Sequence, residues 1–136
     1  MFYPDNAREL RDLIGQSFLN QRFGPGRTPT STTASTDKQH KIYGIVSPHA
    51  GYIYSGAVAA NGFYKISSTD FQDIIMAGPN HYGIGSWVAA MKDGTWETPL
   101  GDVQVDSQMA EEIGRRSAAL DFDDYAHSRD HCLEVQ

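Results

Sequence analysis

Two loops in this chain each present a histidine: Ser47-Pro48-His49-Ala50-Gly51-Tyr52 and Gly78-Pro79-Asn80-His81-Tyr82-Gly83. Neutral imidazole is a donor for zinc, iron or copper, whereas calcium and magnesium prefer oxygen. A single turn histidine commonly hydrogen-bonds its own backbone, and that reading stands for either loop alone. Two histidines presented alike point instead to a shared metal or general acid/base site. A catalytic metal normally takes three protein ligands and keeps one position open. The third donor would be His127, His131, Glu134, Cys132 or a residue outside this sequence, and spacing does not choose among them. His127 and His131 are four apart and would share a face if their segment were helical. Asp124, Asp130 and Glu134 flank them and could orient their rings, the role outer carboxylates play at metal sites. The rival reading of this stretch is a solvated acidic-histidine segment. Cys132 is the only cysteine, so no internal disulfide forms, and the commoner fate of such a residue is a buried, inert thiol.

Each histidine loop follows an apolar, β-branched run, Ile42 to Val46 and Ile74 to Ala77, which reads as a buried strand. Between them, Ser55 to Tyr64 reads as a helix capped by Ser55, its Gly/Ala-rich face allowing close approach to a sheet. The succession has the length of a right-handed βαβ crossover, which would make the strands parallel neighbours with both histidines at their carboxyl ends. Upstream, Asn6 caps a helix with Glu9 three residues on, and Leu10, Leu13, Ile14 and Phe18 fall on one face. Residues 24–40 shift to Gly, Pro, Ser and Thr and read as a mobile surface loop. Trp87–Met91 and Gly101–Val105 read as further strands joined through Lys92-Asp93-Gly94 and Thr95–Leu100. Asp106 or Ser107 caps a helix to about Ala118, with Met109 and Ile113 on its buried side. The sequence halts inside a new periodic run, Cys132–Gln136, from which we expect a fragment of a longer domain. Such a piece would expose a sheet edge and tend to self-associate.

Composition narrows the function. The chain has 136 residues, enough for one α/β domain with a core, and its 40% apolar and 21% charged fractions are ordinary for a soluble protein. Seventeen acidic against eleven basic side chains give a net charge of −6 with no basic block, so nucleic-acid binding finds no support. No apolar stretch reaches the ~18–20 residues of a membrane span and no basic-then-apolar leader opens the chain, so the expectation is a cytoplasmic protein without membrane contact. No Gly-x-Ser-x-Gly elbow, phosphate loop or dinucleotide fingerprint occurs. Tyr52, Tyr54, Tyr82 and Trp96 could wall an aromatic pocket or serve only as packing.

Taken together, several stretches resemble the Memo family, also called AmmeMemoRadiSam system protein B. They are Phe2-Tyr3-Pro4, Ser47 through Gly56, Gly78-Pro79-Asn80-His81, Trp96 through Val103, and His131 through Gln136. Their order and spacing run nearly the whole length. Family members are about twice as long, and the His-Ser-x-Glu segment, here His131-Cys132-Leu133-Glu134, falls near their middle. The family is similar in fold to the class III extradiol dioxygenases, which implies an α/β/α sandwich of which this chain is the amino-terminal half. It also implies that His49 and His81 are ligands to iron or copper. The third ligand is implied as a cysteine in the carboxyl half, so Cys132 is not promoted to that role. His131 is given an acid/base or outer-sphere role, and Tyr52, Tyr54, Asn80 and Trp96 are placed along the cleft.

The resemblance implies a metal-dependent redox or dioxygenase-type domain acting on a small molecule or peptide in that cleft. A radical-SAM protein and an AMMECR-like protein are implied as partners. The alternative is a non-catalytic module holding a peptide or partner in the same cleft, for which the dispersed arginines offer little phosphopeptide grip.

Overall fold

The computed structural model describes residues 2–30 and 42–136. The element order is α1 (Ala7–Leu19), α2 (Tyr52–Ile66), β1 (Ala89–Ala90), β2 (Thr95–Thr98), β3 (Gly101–Gln104), α3 (Ser107–Arg116) and β4 (Asp121–Phe122), followed by a 3-10 turn at Asp124–His127. Helices and strands mix along the chain, as in an α/β protein. The residues fall into two compact units, Met1–Ile74 with Val135–Gln136, and Ile75–Glu134.

In the first unit, α1 starts where its cap chemistry dictates. The Asn6 carboxamide accepts from the backbone N–H groups of Arg8 and Glu9, satisfying donors that the first turn leaves open. Leu10 and Ser17 are buried on its inner face. There Ser17 meets Gly56 of α2 so closely that a Cβ on Gly56 would lie 2.7 Å from Ser17 Oγ. The small residue sets the helix separation, and the Ser17 hydroxyl donates to Leu13 O instead of crossing the gap.

Helix α2 begins earlier than its hydroxyl signal suggests. Gly51 is the N-cap and Ser55 lies a full turn inside, its Oγ–H donating to Ala50 O at 3.0 Å. Ser55 therefore braces the histidine loop instead of capping the helix. Ile45 packs on Gly62 of α2, where a Cβ would come within 3.0 Å of Ile45 Cδ1, so the small-residue face does accept a close neighbour. That neighbour, however, is not a ladder strand. Among the described residues the runs 42–46 and 74–77, expected as buried strands, are irregular and join no sheet, and Tyr43, Val46, Ile74 and Ile75 are all exposed. Strand pairing depends on what tertiary context supplies, not on the local pattern alone. The parallel βαβ pair expected of these runs is thus not formed here. Of the loop expected over 24–40, residues 24–30 are irregular, with Gly26 at φ 72° accepting from the Gln21 amide. Its remainder, 31–40, lies outside the described residues.

The second unit carries two small sheets. β1 and β4 pair in parallel, Ala89 with Asp121 and Ala90 with Phe122, so the expected Trp87–Met91 strand shrinks to a two-residue bridge. β2 and β3 form an antiparallel hairpin in which Trp96 faces Val103. Thr95–Leu100, expected as a connection, supplies the first strand of that hairpin. The turn closes through Gly101 at φ 130°, with Thr98 Oγ1–H donating to Gly101 O. Helix α3 then starts as expected, the Asp106 carboxylate accepting from Met109 N–H at 2.8 Å. Its inner side rests on β4, where Gly114 admits the Phe122 ring.

Candidate metal centre

His81 sits on a turn that the sequence builds for rigidity. Asn80 Nδ2–H donates to Ile84 O at 2.7 Å, and Asn80 Oδ1 accepts from Ile84 N–H at 3.3 Å. This Asx-type clasp, with Gly83 at φ 61°, closes the 80–84 loop. Asn80, expected along the cleft, is therefore a brace for the histidine beside it.

Asp130 reaches this turn from 49 residues downstream. Its Oδ2 accepts from the His81 backbone N–H at 2.7 Å, and Oδ1 accepts from the Cys132 backbone N–H at 2.9 Å. The His81 ring nitrogen Nδ1 lies 3.1 and 3.2 Å from the two carboxylate oxygens. The Asp130 side chain is 7% exposed. Burial alone would raise its pKa, but the N–H groups of Cys132 and His81 and their side chains outweigh it and hold the carboxyl well below the usual range. His131 follows directly, and its ring lies nearly parallel to that of His81, 17° between planes and 4.9 Å between centroids. One ligating atom from each of His81, Asp130 and His131 falls within 4.8 Å of the others. Imidazole and carboxylate donors of this kind suit iron, copper or zinc.

The other candidates for a third donor, Cys132, His127 and Glu134, fall outside this cluster. Cys132 is buried, and its Sγ–H donates to Pro79 O at 3.1 Å. Burial first, then the hydrogen bond and negative charge of Asp130, push its thiol up to about 11, so it stays a neutral thiol near neutrality. This agrees with the inert reading. Its bond to Pro79 and the close seat of Gly78, where a Cβ would meet Cys132 Sγ at 2.5 Å, fasten the 130–133 segment to the His81 turn. His127 closes the 3-10 turn with its ring edge-on to Trp96, centroids 5.9 Å apart, and its Nε2 is buried without a hydrogen-bond partner among the described residues. Burial raises the Glu134 carboxyl.

In the first unit, His49 lies in the loop between the 42–46 run and α2. Tyr52 N–H donates to Phe2 O at 2.9 Å, and Gln136 Nε2–H donates to Pro48 O at 3.2 Å. Tyr52, expected along a cleft, is half-buried against Tyr3 and donates its phenol O–H to Val135 O at 2.8 Å, while burial raises its pKa. It ties residues 135–136 to the first unit. Tyr54 is largely exposed. The structure thus gathers His81, His131 and Asp130, and Asp130, suggested from the sequence as a partner for the rings of His127 and His131, bonds His81.

A family model described as Memo-like protein matches residues 1–136. The chain belongs to the Memo family. Among curated relatives, a MEMO1 family protein of Methanococcus maripaludis is 47% identical over 138 residues, 100% of this chain and 46% of the relative. One of Nitrosopumilus maritimus is 45% identical over 135 residues, 99% of this chain and 46% of the relative, and one of Methanocaldococcus jannaschii is 41% identical over 140 residues. This Memo-family chain therefore spans about half the length of the curated relatives it matches. No solved structure matches it. No helix among the described residues is long and apolar enough to cross a membrane.

Proposed function

We propose that this Memo-family chain contributes to a transition-metal site, iron or copper, in which His81 is a ligand and His131 an acid–base group, with His49 assigned as a second ligand from family resemblance alone. The observation that carries the reading is the convergence of His81, Asp130 and His131 with ligating atoms within 4.8 Å. When bound, such an ion supplies Lewis acidity and one-electron chemistry. The protein's own residues do the rest. The Asn80 clasp holds the His81 backbone, and His131, 4.9 Å from His81 between ring centroids, is near enough to take or give a proton beside it.

On this reading the longer protein carries out a redox or dioxygenase-type reaction on a small molecule or peptide. The extradiol dioxygenase-like sandwich, the cleft roles of Tyr54 and Trp96, and radical-SAM and AMMECR-like partners form part of the same proposal and rest on family resemblance. Equilibrium dialysis with ferrous and cupric ions, done anaerobically for iron, tests the core of it. Wild-type protein is expected to bind one ion, His81→Ala to lose it, and His131→Ala to retain most of the affinity. Equal binding by wild type and His81→Ala would sink the proposal.

A further inference from the structure

Resting on the metal-site reading above, we infer that Asp130 is a positioning residue that locks His81 in the Nδ1–H tautomer and leaves Nε2 as its ligating nitrogen. The hydrogen bonds leave little choice. An ionised carboxylate only accepts, so the backbone N–H of His81, the backbone N–H of Cys132 and His81 Nδ1 must all be donors to it. A bare Nδ1 at 3.1 Å would set a lone pair against a carboxylate oxygen, a repulsive contact that the protonated nitrogen turns into a charge-assisted bond.

The same carboxylate holds His81 twice, once through its main chain and once through its ring. That double hold fixes both the position of the Cα and the rotation of the imidazole. Three donors already engage the Asp130 carboxylate, and its side chain is only 7% exposed. The arrangement is a carboxylate–histidine pair in which the outer group sets the tautomer of the inner one. It also explains why an aspartate precedes His131: one short stretch brings a proton-transfer histidine to the turn and orients the histidine already there.

The test is the ring tautomer in metal-free protein, read from long-range proton–nitrogen correlations of 15N-labelled histidines at about pH 8, where an ordinary imidazole is neutral. His81→Ala assigns the signal. The expected wild-type result is a protonated Nδ1 and a bare Nε2 for His81. In Asp130→Asn that pattern is lost and ferrous-ion affinity falls by about 10–100-fold, the usual cost of removing an outer-sphere partner. Nε2–H in the wild type overturns the inference without any variant having to fold, and so does an Asp130→Asn protein with unchanged tautomer and affinity. A protonated Nδ1 in a wild type that binds no metal upholds the positioning role and defeats the metal-site reading instead, so the two failures are distinguishable.

Discussion

The loops carrying His49 and His81 share one sequence pattern, an apolar run followed by a proline and a histidine, yet their backbones are held by different groups. Around His49 the backbone is pinned by neutral groups: Tyr52 N–H to Phe2 O, Ser55 Oγ to Ala50 O and the Gln136 amide to Pro48 O. Around His81 the principal clamp is an anion, the Asp130 carboxylate, which binds the histidine's own main chain and ring. Neutral bonds place a loop, whereas a buried carboxylate also dictates which ring nitrogen carries the proton. Similar motifs can therefore be held at the backbone by different groups.

Gly78→Ala should break the contrast most severely. The new methyl would meet Cys132 Sγ at 2.5 Å and Leu133 Cδ2 at 3.0 Å, in a place where the cysteine is buried and cannot swing away. Overpacking of this kind costs about 1–3 kcal/mol, read as a lower urea midpoint. Because the contact fastens Asp130 to the His81 turn, metal affinity should fall with it.

The first-unit loop is expected to be less sensitive. Tyr52→Phe removes one hydrogen bond to Val135 O and should cost about 0.5–1.5 kcal/mol by the same measurement. Burial raises the Tyr52 pKa above its ordinary 10.0, so its contribution is fully present below that pH and is lost as pH rises through the higher folded-state value. A shallower loss of stability above pH 10 in Tyr52→Phe than in wild type is the expected signature, and identical alkaline limbs would contradict it.

Smaller again is Gly56→Ala. Its methyl would press on Ser17 Oγ, but relief by hydroxyl rotation and a helix-propensity gain of about 0.8–1 kcal/mol should leave a net loss below about 1 kcal/mol. Adding Ser17→Ala should turn that loss into a gain. Glu112→Gln supplies the baseline, since Arg115 and Arg116 hold Glu112 from positions 73% and 78% exposed. Removing those pairs should shift stability by less than about 0.5 kcal/mol, and less still in high salt.

How much of this is legible in the sequence depends on the range of the interaction. Asn6 is read correctly as a cap, and Asp106 proves to be the cap of the two residues offered, Asp106 or Ser107, because such bonds reach only two or three residues. Ser55 misleads because a hydroxyl inside the first turn can bond backward to Ala50 O as readily as it caps. The runs 42–46 and 74–77 mislead, being irregular and largely exposed where buried strands were expected, because a ladder needs a partner that periodicity does not name. The 95–100 stretch is a strand because Gly101 at φ 130° folds it back, a local signal outweighed by the apparent loop composition of Glu97-Thr98-Pro99. The His81 position is plain from its turn. Its tie to Asp130 spans 49 residues, and the only advance signal is the density of ionisable groups from Asp124 to His131.

Elemental analysis of anaerobically purified wild-type, His49→Ala and His81→Ala proteins, each in its full-length form, tests the central claim most directly. The account predicts near-stoichiometric iron or copper in the wild type and its loss in both variants. Metal-free but folded wild type, or variants that keep the ion, would contradict it.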